Sequence, residues 1–156
     1  MSVGAEYTVG VISDTHGLLR RSVVDRLKGV DLILHAGDVC SREIPRQLST
    51  LAPFYAVRGN NDPWDCGWPP REMVRLGEDY IYIVHMLEDM DIAPAVCGVK
   101  AVIYGHTHRF SLQHKNGVMY ANPGSVGPRR YNYPISFGLL TKRSGKWGFE
   151  PVFLES

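Results

Sequence analysis

Three times within its first sixty residues the chain runs through a short apolar stretch, breaks at a glycine or an aspartate, and leaves polar side chains at the break. Tyr7 to Ser13 ends in Asp14-Thr15-His16-Gly17, Leu32-Ile33-Leu34 runs on to Gly37-Asp38, and Phe54 to Val57 stops at Gly59-Asn60. Between these runs, Arg20 to Lys28 carries apolar residues at helical spacing and stops at Gly29, and a second helix is expected over Glu43 to Leu51. Strands and helices that alternate in this way call for right-handed crossovers and a largely parallel sheet, whose carboxyl-end loops share one rim. Polar residues far apart in sequence are therefore expected to collect in one place.

The second half has a different grammar. Glu72 to Leu76 and Tyr80 to Val84 flank Gly77-Glu78, Leu112 to His114 and Val118 to Ala121 flank Asn116-Gly117, and Ile135 to Thr141 precedes Ser144-Gly145. These are hairpin signals. Asp91 to Cys97 reads as a short helix, and Pro63 to Pro70, with two tryptophans, as a loop. The expectation is α/β: two packed, mixed sheets with helices outside them, in a single domain over residues 1–156.

Composition narrows the function classes. A net charge of +1 gives no sign of a dedicated nucleic-acid surface. Cys40, Cys66 and Cys97 are odd in number and widely spaced, so they suggest neither a disulfide framework nor a cysteine zinc site. The first residues have no basic segment before an apolar one, and no apolar run reaches the roughly 18 residues of a membrane span. A cytoplasmic protein with no membrane partner is expected.

The polar residues at the ends of the apolar runs are Asp14, His16, Asp38, Asn60, His85, His106 and His108. Taken singly, the aspartates could cap helices, Asn60 could serve a left-handed turn, and His85 could be an ordinary strand polar residue. Taken together, four imidazoles, two carboxylates and one amide oxygen suit a borderline transition metal better than calcium or magnesium. Seven donors exceed the needs of one tetrahedral ion, and two ions about 3.5–4 Å apart are a known device for displacement at phosphorus. His35, inside an apolar run, reads as a core or supporting histidine, and His114 as surface.

The order D-x-H, GD, GN, a lone H and GHTH, here Asp14-Thr15-His16, Gly37-Asp38, Gly59-Asn60, His85 and Gly105-His106-Thr107-His108, resembles that of the calcineurin-like metallophosphoesterases. Asn122-Pro123-Gly124-Ser125 and the trailing Pro128-Arg129 are most similar to small single-domain phosphodiesterases of the YfcE type. The resemblance implies a four-layer αββα sandwich with a dinuclear centre. Asp14, His16 and His108 would hold one ion, Asn60, His85 and His106 the other, and Asp38 would bridge. It further implies two divalent transition-metal ions, manganese first, with iron, nickel or zinc as alternatives, and a bridging hydroxide as nucleophile.

Asp38, Asn60 and His106 are the catalytic candidates, and Asn60, Asn61 and Arg129 the substrate-binding ones. The expected substrate is a small phosphate diester, nucleotide-derived in one reading. A phosphomonoesterase, or a non-catalytic scaffold resembling the retromer phosphoesterase-like subunit, is the alternative, and exposed strand edges admit a homo-oligomer. Two departures from the family pattern stand out. Asn61 and Asp62 follow Asn60 where many members have a histidine, so the proton donor to the leaving group is either Asp62 or absent. His85 lies in Val84-His85-Met86 rather than between glycines.

Overall fold

The computed structural model describes residues 5–154. The three early apolar runs form β1 (Tyr7–Ile12), β2 (Leu32–His35) and β3 (Phe54–Ala56), paired in parallel with Val9 opposite Leu32 and Ile33 opposite Phe54. The crossovers are α1 (Arg21–Leu27) and α2 (Glu43–Ser49). Each helix buries two residues four apart, Val23 with Leu27 and Ile44 with Leu48, which is the stripe a short helix needs to dock on a sheet. Ser41 Oγ accepts the N–H groups of Glu43 and Ile44, satisfying two donors that the start of α2 would leave free. Pro45 falls in the first turn, where a missing N–H costs little.

The chain then builds a second sheet. β4 (Arg71–Leu76) and β5 (Asp79–Val84) form a hairpin, β6 (Val99–Ile103) lies parallel to β5, and β7 (Phe110–Lys115) and β8 (Val118–Pro123) form another hairpin, giving the order β4-β5-β6-β8-β7. At its turn Asn116 and Gly117 both take left-handed φ values, 51° and 77°, which match the twist of the flanking strands. β9 (Ile135–Arg143) returns to the first sheet antiparallel to β1, and β10 (Lys146–Leu154) closes it in the order β10-β9-β1-β2-β3.

The sheets face each other across Val9, Val11 and Leu34 on one side and Ile81, Ile83, Ala101, Ile103 and Ala121 on the other. Both helices cover the outer face of the first sheet, over Ile12, Ile33 and Phe137. The outer face of the second, with Tyr82, Val84 and Val102, is covered by Met90 and Ile92, which follow a single 3-10 turn, Leu87–Asp89. The helix expected over Asp91 to Cys97 does not form. Met90 and Ile92 reach the sheet two residues apart, an extended spacing, and the Asp91 side chain is held by the Tyr82 hydroxyl at 2.8 Å and by Arg71 at 3.0 Å. Pro94 then begins a run of turns with Val96 and Cys97 bonded three residues back.

Because β1, β2, β3, β5 and β6 run the same way, their carboxyl ends share a rim. Asp14, Asp38, Asn60, His85 and the His106–His108 pair follow those five strands in order. At the opposite rim the sheets are tied by Lys142, whose Nζ donates to Asp79 Oδ2 at 2.6 Å, beside a 2.8 Å bond from Trp147 Nε1.

Candidate metal centre

Asp14 and Asp38 are 0% and 2% exposed, two buried carboxylates side by side. Around Asp14 Oδ1 stand three imidazole nitrogens, His108 Nε2 at 3.3 Å, His16 Nε2 at 3.7 Å and His85 Nε2 at 3.9 Å. Asp38 Oδ2 lies 3.5 Å from His16 Nε2 and 3.4 Å from His85 Nε2. These separations are long for hydrogen bonds. Three of the five, at 3.3–3.5 Å, match the spacing of about 3.0–3.5 Å between two ligands that each sit about 2.1 Å from one cation, and the other two are slightly wider. Asp14 Oδ1, His16 Nε2, His85 Nε2 and His108 Nδ1 are buried without a hydrogen-bond partner, a cost proteins rarely accept. A divalent cation would satisfy three of these atoms directly, and the oxygen-and-imidazole donor set fits one.

The imidazoles form two flanks. His16 and His108 lie with ring centroids 5.3 Å apart on one side, and His85 and His106, also 5.3 Å apart, on the other. Two groups of side chains converge closely enough for an ion, Asp14 with His16 and His108, and Asp14 with Asp38 and His85. Asn60 and His106 are exposed and bonded to each other, His106 Nδ1 to Asn60 Oδ1 at 3.2 Å. They stand at the mouth rather than in the buried cluster.

Backbone conformation explains how residues two apart serve one centre. Asp14 and His16 have φ of 58° and 47°, Asp38 and Cys40 of 60° and 58°, and His106 and His108 of 75° and 63°. Three loops therefore repeat one alternation, with every second residue in the left-handed region that side chains avoid. Such strain gathers where the surroundings hold it in place for a purpose. Two glycines let the loops close up: a Cβ on Gly37, whose φ is 107°, would come within 2.6 Å of His85 Nδ1, and one on Gly59 would collide with the Asp38 carboxylate.

The supporting contacts are specific. Ser13 Oγ donates to Asp14 Oδ2 at 2.6 Å, and the His106 N–H donates to the same oxygen at 3.1 Å. His85 Nδ1 donates to the Ala36 carbonyl at 2.7 Å, which leaves Nε2 free to ligate despite the absence of flanking glycines. Asn61 donates its N–H to Asp38 Oδ1 at 2.8 Å and its side-chain amide to Oδ2 at 2.9 Å. Asp62 accepts the N–H groups of Asp38, Val39, Cys40 and Gly59. Asn122 donates to the Gly105 carbonyl and to Thr107 Oγ1, fixing the loop that carries both histidines.

Burial alone would raise the Asp14 carboxyl, but His108, His16 and His85 around it hold it far below the usual carboxylate range. Asp38 is lowered in the same way, His85 and Asn61 outweighing desolvation, and His85 is raised in turn by the two carboxylates. Burial pushes His35 down to about 4, so it is neutral. The Gly37 N–H donates to its Nδ1 at 3.1 Å, so the proton sits on Nε2 and is given to Thr15 Oγ1 at 3.0 Å, in accord with a supporting role. Arg129 is exposed and donates to the Tyr133 carbonyl.

Residues 7–145 match the family model of the calcineurin-like phosphoesterase superfamily domain. The chain belongs to that family. A probable metallophosphoesterase of Methanocaldococcus jannaschii is 33% identical over 79% of this chain and 70% of its own length. One of Methanothermobacter thermautotrophicus is 34% identical over 81% of each. Among solved structures, a predicted phosphoesterase of Streptococcus pneumoniae superposes with a TM-score of 0.78 at 26% identity, covering 96% of this chain and 90% of that one. Vacuolar protein sorting 29 of Cryptosporidium parvum (TM-score 0.74, 21% identity, 97% and 99% covered) and an archaeal phosphodiesterase (0.73, 22%, 94% and 99%) share the fold. This phosphoesterase is thus a metal-dependent one, and among its described residues no helix is long and apolar enough to cross a membrane.

Asp62 and Asn122 are the residues whose roles sequence reading missed. The two oxygens of Asp62, the alternative proton donor, accept four backbone N–H groups, an arrangement that a carboxylate favours and a protonated carboxyl does not. The signal for Asn122 is its place just after the apolar run Val118 to Ala121, the same grammar as the ligands, although β8 itself continues to Pro123.

Proposed function

We propose that this chain is a phosphodiesterase working with two divalent transition-metal ions, manganese first among them. The observation that carries the reading is the two-sided site: an imidazole pair on each flank, with Asp14 and Asp38 between them. Asp14, His16 and His108 would hold one ion, His85, Asn60 and His106 the other, with Asp38 reaching both flanks. Ions held there would activate a water near neutral pH and neutralise charge at phosphorus.

The chain supplies the rest. Asn61 and Asp62 fix Asp38 in its strained conformation, and Asn60 and His106, exposed at the mouth, face the incoming ester. Asn60 can turn its amide N–H groups toward a phosphoryl oxygen once its oxygen is committed below. Arg58 and Arg129 each spend a guanidinium N–H on a backbone carbonyl, Trp64 and Tyr133. Among the described residues no lysine or arginine is buried beside the two carboxylates, which suits the single charge of a diester better than a monoester dianion. The likeness to an archaeal phosphodiesterase supports the same choice. We read the protein as a cytoplasmic enzyme acting on small, soluble esters.

The test is hydrolysis of bis(p-nitrophenyl) phosphate against p-nitrophenyl phosphate by manganese-loaded protein, with metal content measured on the same sample. Faster cleavage of the diester at two ions per chain is expected. Strong preference for the monoester would establish the phosphatase alternative. Two ions with neither ester cleaved would favour a scaffold, the reading that the likeness to vacuolar protein sorting 29 supports.

A further inference from the structure

The near-zero net charge conceals a segregation. Between Asp91 and Glu150 the sequence has no Asp or Glu and eight Lys or Arg. Three of those eight, Arg109, Arg129 and Arg130, stand in one patch with two tyrosines. The Arg109 guanidinium lies 5.4 Å from the centroid of the Tyr133 ring, and Tyr133 lies 5.4 Å from the Tyr131 ring. Arg129 donates to the Tyr133 carbonyl at 3.1 Å, and the Tyr133 N–H donates to the Arg130 carbonyl at 3.1 Å. Arginine, tyrosine and tyrosine thus form a ladder whose outer member, Tyr131, is 83% exposed and has a φ of 52°.

This ladder adjoins the metal ligands. Arg109 follows His108 directly, and its N–H is fixed by Thr107 Oγ1. The start of the second loop is fastened under the centre, because Ser125 Oγ donates to the Asp14 carbonyl at 3.1 Å and Arg20 holds the Val126 and Gly127 carbonyls. The two loops that leave the His16–His108 flank thus carry an exposed aromatic ring and three arginines, and neither loop has an acidic residue. Tyr131 is 83% exposed with the Tyr133 ring beside it, so little of this large ring is buried by packing.

We infer that the Arg109–Tyr133–Tyr131 ladder, with Arg129 and Arg130, binds a nucleotidyl arm of the substrate, a base stacking on Tyr131 and the adjoining phosphates meeting the arginines. Alternating aromatic faces and cations is the chemistry that grips single-stranded nucleotides without reading their sequence. The inference rests on the phosphodiesterase reading for its catalytic consequence and extends it by naming the substrate class as nucleotide diesters.

Two measurements test it. In manganese-loaded enzyme, kcat/KM for the p-nitrophenyl ester of thymidine 5′-phosphate is compared with that for methyl p-nitrophenyl phosphate, which has the same charge and leaving group but no base. The ratio is expected to exceed about 10, the scale of one base–aromatic stack, to fall toward 1 in Tyr131→Ala, and to persist in Tyr131→Phe. A ratio near 1 in wild type, or one unchanged in Tyr131→Ala, overturns the inference. Independently of turnover, calorimetric titration with phosphorothioate-linked trithymidylate should show tighter binding than its abasic counterpart, with the difference lost in Tyr131→Ala. Affinity should also weaken about 10-fold in Arg129→Gln/Arg130→Gln. Equal binding of the two ligands, or binding indifferent to these substitutions, overturns it. If neither nitrophenyl ester is cleaved, the phosphodiesterase reading fails, while the titration still decides whether the ladder binds nucleotides.

Discussion

The Asp62 carboxylate accepts the backbone N–H of Asp38 at 2.9 Å, and so holds the metal-binding aspartate by its main chain while Asn61 holds its side chain. Three further N–H groups, from Val39, Cys40 and Gly59, end on the same carboxylate. Asp38 and Cys40 both take left-handed φ values, so their loop keeps its N–H groups pointed inward only while an acceptor is present. Asp62 is therefore a positioning residue for Asp38.

Asp62→Asn should put an amide NH2 against backbone donors and leave some of them unsatisfied. The expected cost is about 1–3 kcal/mol for each buried donor left unpaired, read by urea unfolding of chelator-treated protein, together with weaker metal binding in a calorimetric titration. Wild-type stability and affinity in Asp62→Asn would show that the loop holds Asp38 without it.

Chelation should destabilise the protein well beyond an ordinary surface ion. Among the described residues four buried polar atoms have no partner, three of which an ion would satisfy, and five of the seven donors stand in left-handed conformation. An ion present at a thousandfold excess over its Kd stabilises by about 4 kcal/mol, and in a chain of this size each kcal/mol moves Tm by about 2–4 °C. A fall in Tm of roughly 8–16 °C on adding chelator is expected for one ion, and more for two. A shift of a degree or two would argue against a resident cation.

Metal stoichiometry separates the flanks. Asp14 Oδ1 is common to both converging groups and Asp38 Oδ2 lies between a histidine of each, whereas His108 belongs to one flank. Elemental analysis should therefore show both ions lost in Asp38→Ala but only one weakened in His108→Ala. An Asp38→Ala protein that still carries two ions would remove Asp38 from the shared position.

The tie between the sheets at the far rim has a pH signature. Burial would raise the Asp79 carboxyl, but the Lys142 ammonium and the Trp147 indole N–H outweigh it and lower its pKa. A lowered carboxyl stabilises the fold above its unfolded pKa of about 3.9 and loses that contribution as pH falls through the folded value. Lys142→Met in chelated protein should thus cost about 1.5–3 kcal/mol at pH 7 and less at pH 3, below the unfolded pKa. An equal loss at both pH values would mean that packing against Trp147, not charge, makes the difference.

How far these features could be read in the sequence depended on range. Each ligand marked the end of an apolar run, and parallel strands carry such ends to one rim, so Asp14, Asp38 and His106 were legible from local pattern and strand direction alone. The role of Asp62 was not, because three of its four partners are backbone N–H groups presented by a loop more than twenty residues away, and their direction depends on φ values that no side chain announces. Asp91 to Cys97 has a local helical pattern, but long-range contacts decide its conformation. Met90 and Ile92 instead cover the second sheet in extended form, pinned by Tyr82 and Arg71 to Asp91. β10 was obscured by Gly148 and Pro151, which weaken a strand pattern but are admitted here on an edge strand.

The last prediction concerns the leaving group. The residue after Asn60 is an asparagine whose amide is engaged with Asp38 Oδ2, and the next is an aspartate whose oxygens are occupied by four N–H groups. Both side chains are engaged with the Asp38 loop and neither is placed to serve as an acid at the departing oxygen, so negative charge builds there in the transition state. The rate should then depend steeply on leaving-group pKa. Asn61→Ala should lower kcat/KM for good and poor leaving groups alike, since it loosens Asp38 without removing an acid. Asn61→His brings an imidazole to the same place and should help poor alkoxide leaving groups by about 10- to 100-fold relative to nitrophenyl esters, flattening the dependence. A series of diesters spanning aryl to alkyl leaving groups, run on wild type, Asn61→Ala and Asp62→Asn, decides between the two accounts. Parallel lines show that both residues act through Asp38, whereas a shallow wild-type line that steepens in Asp62→Asn would make Asp62 the acid and require its carboxylate to leave the loop during turnover.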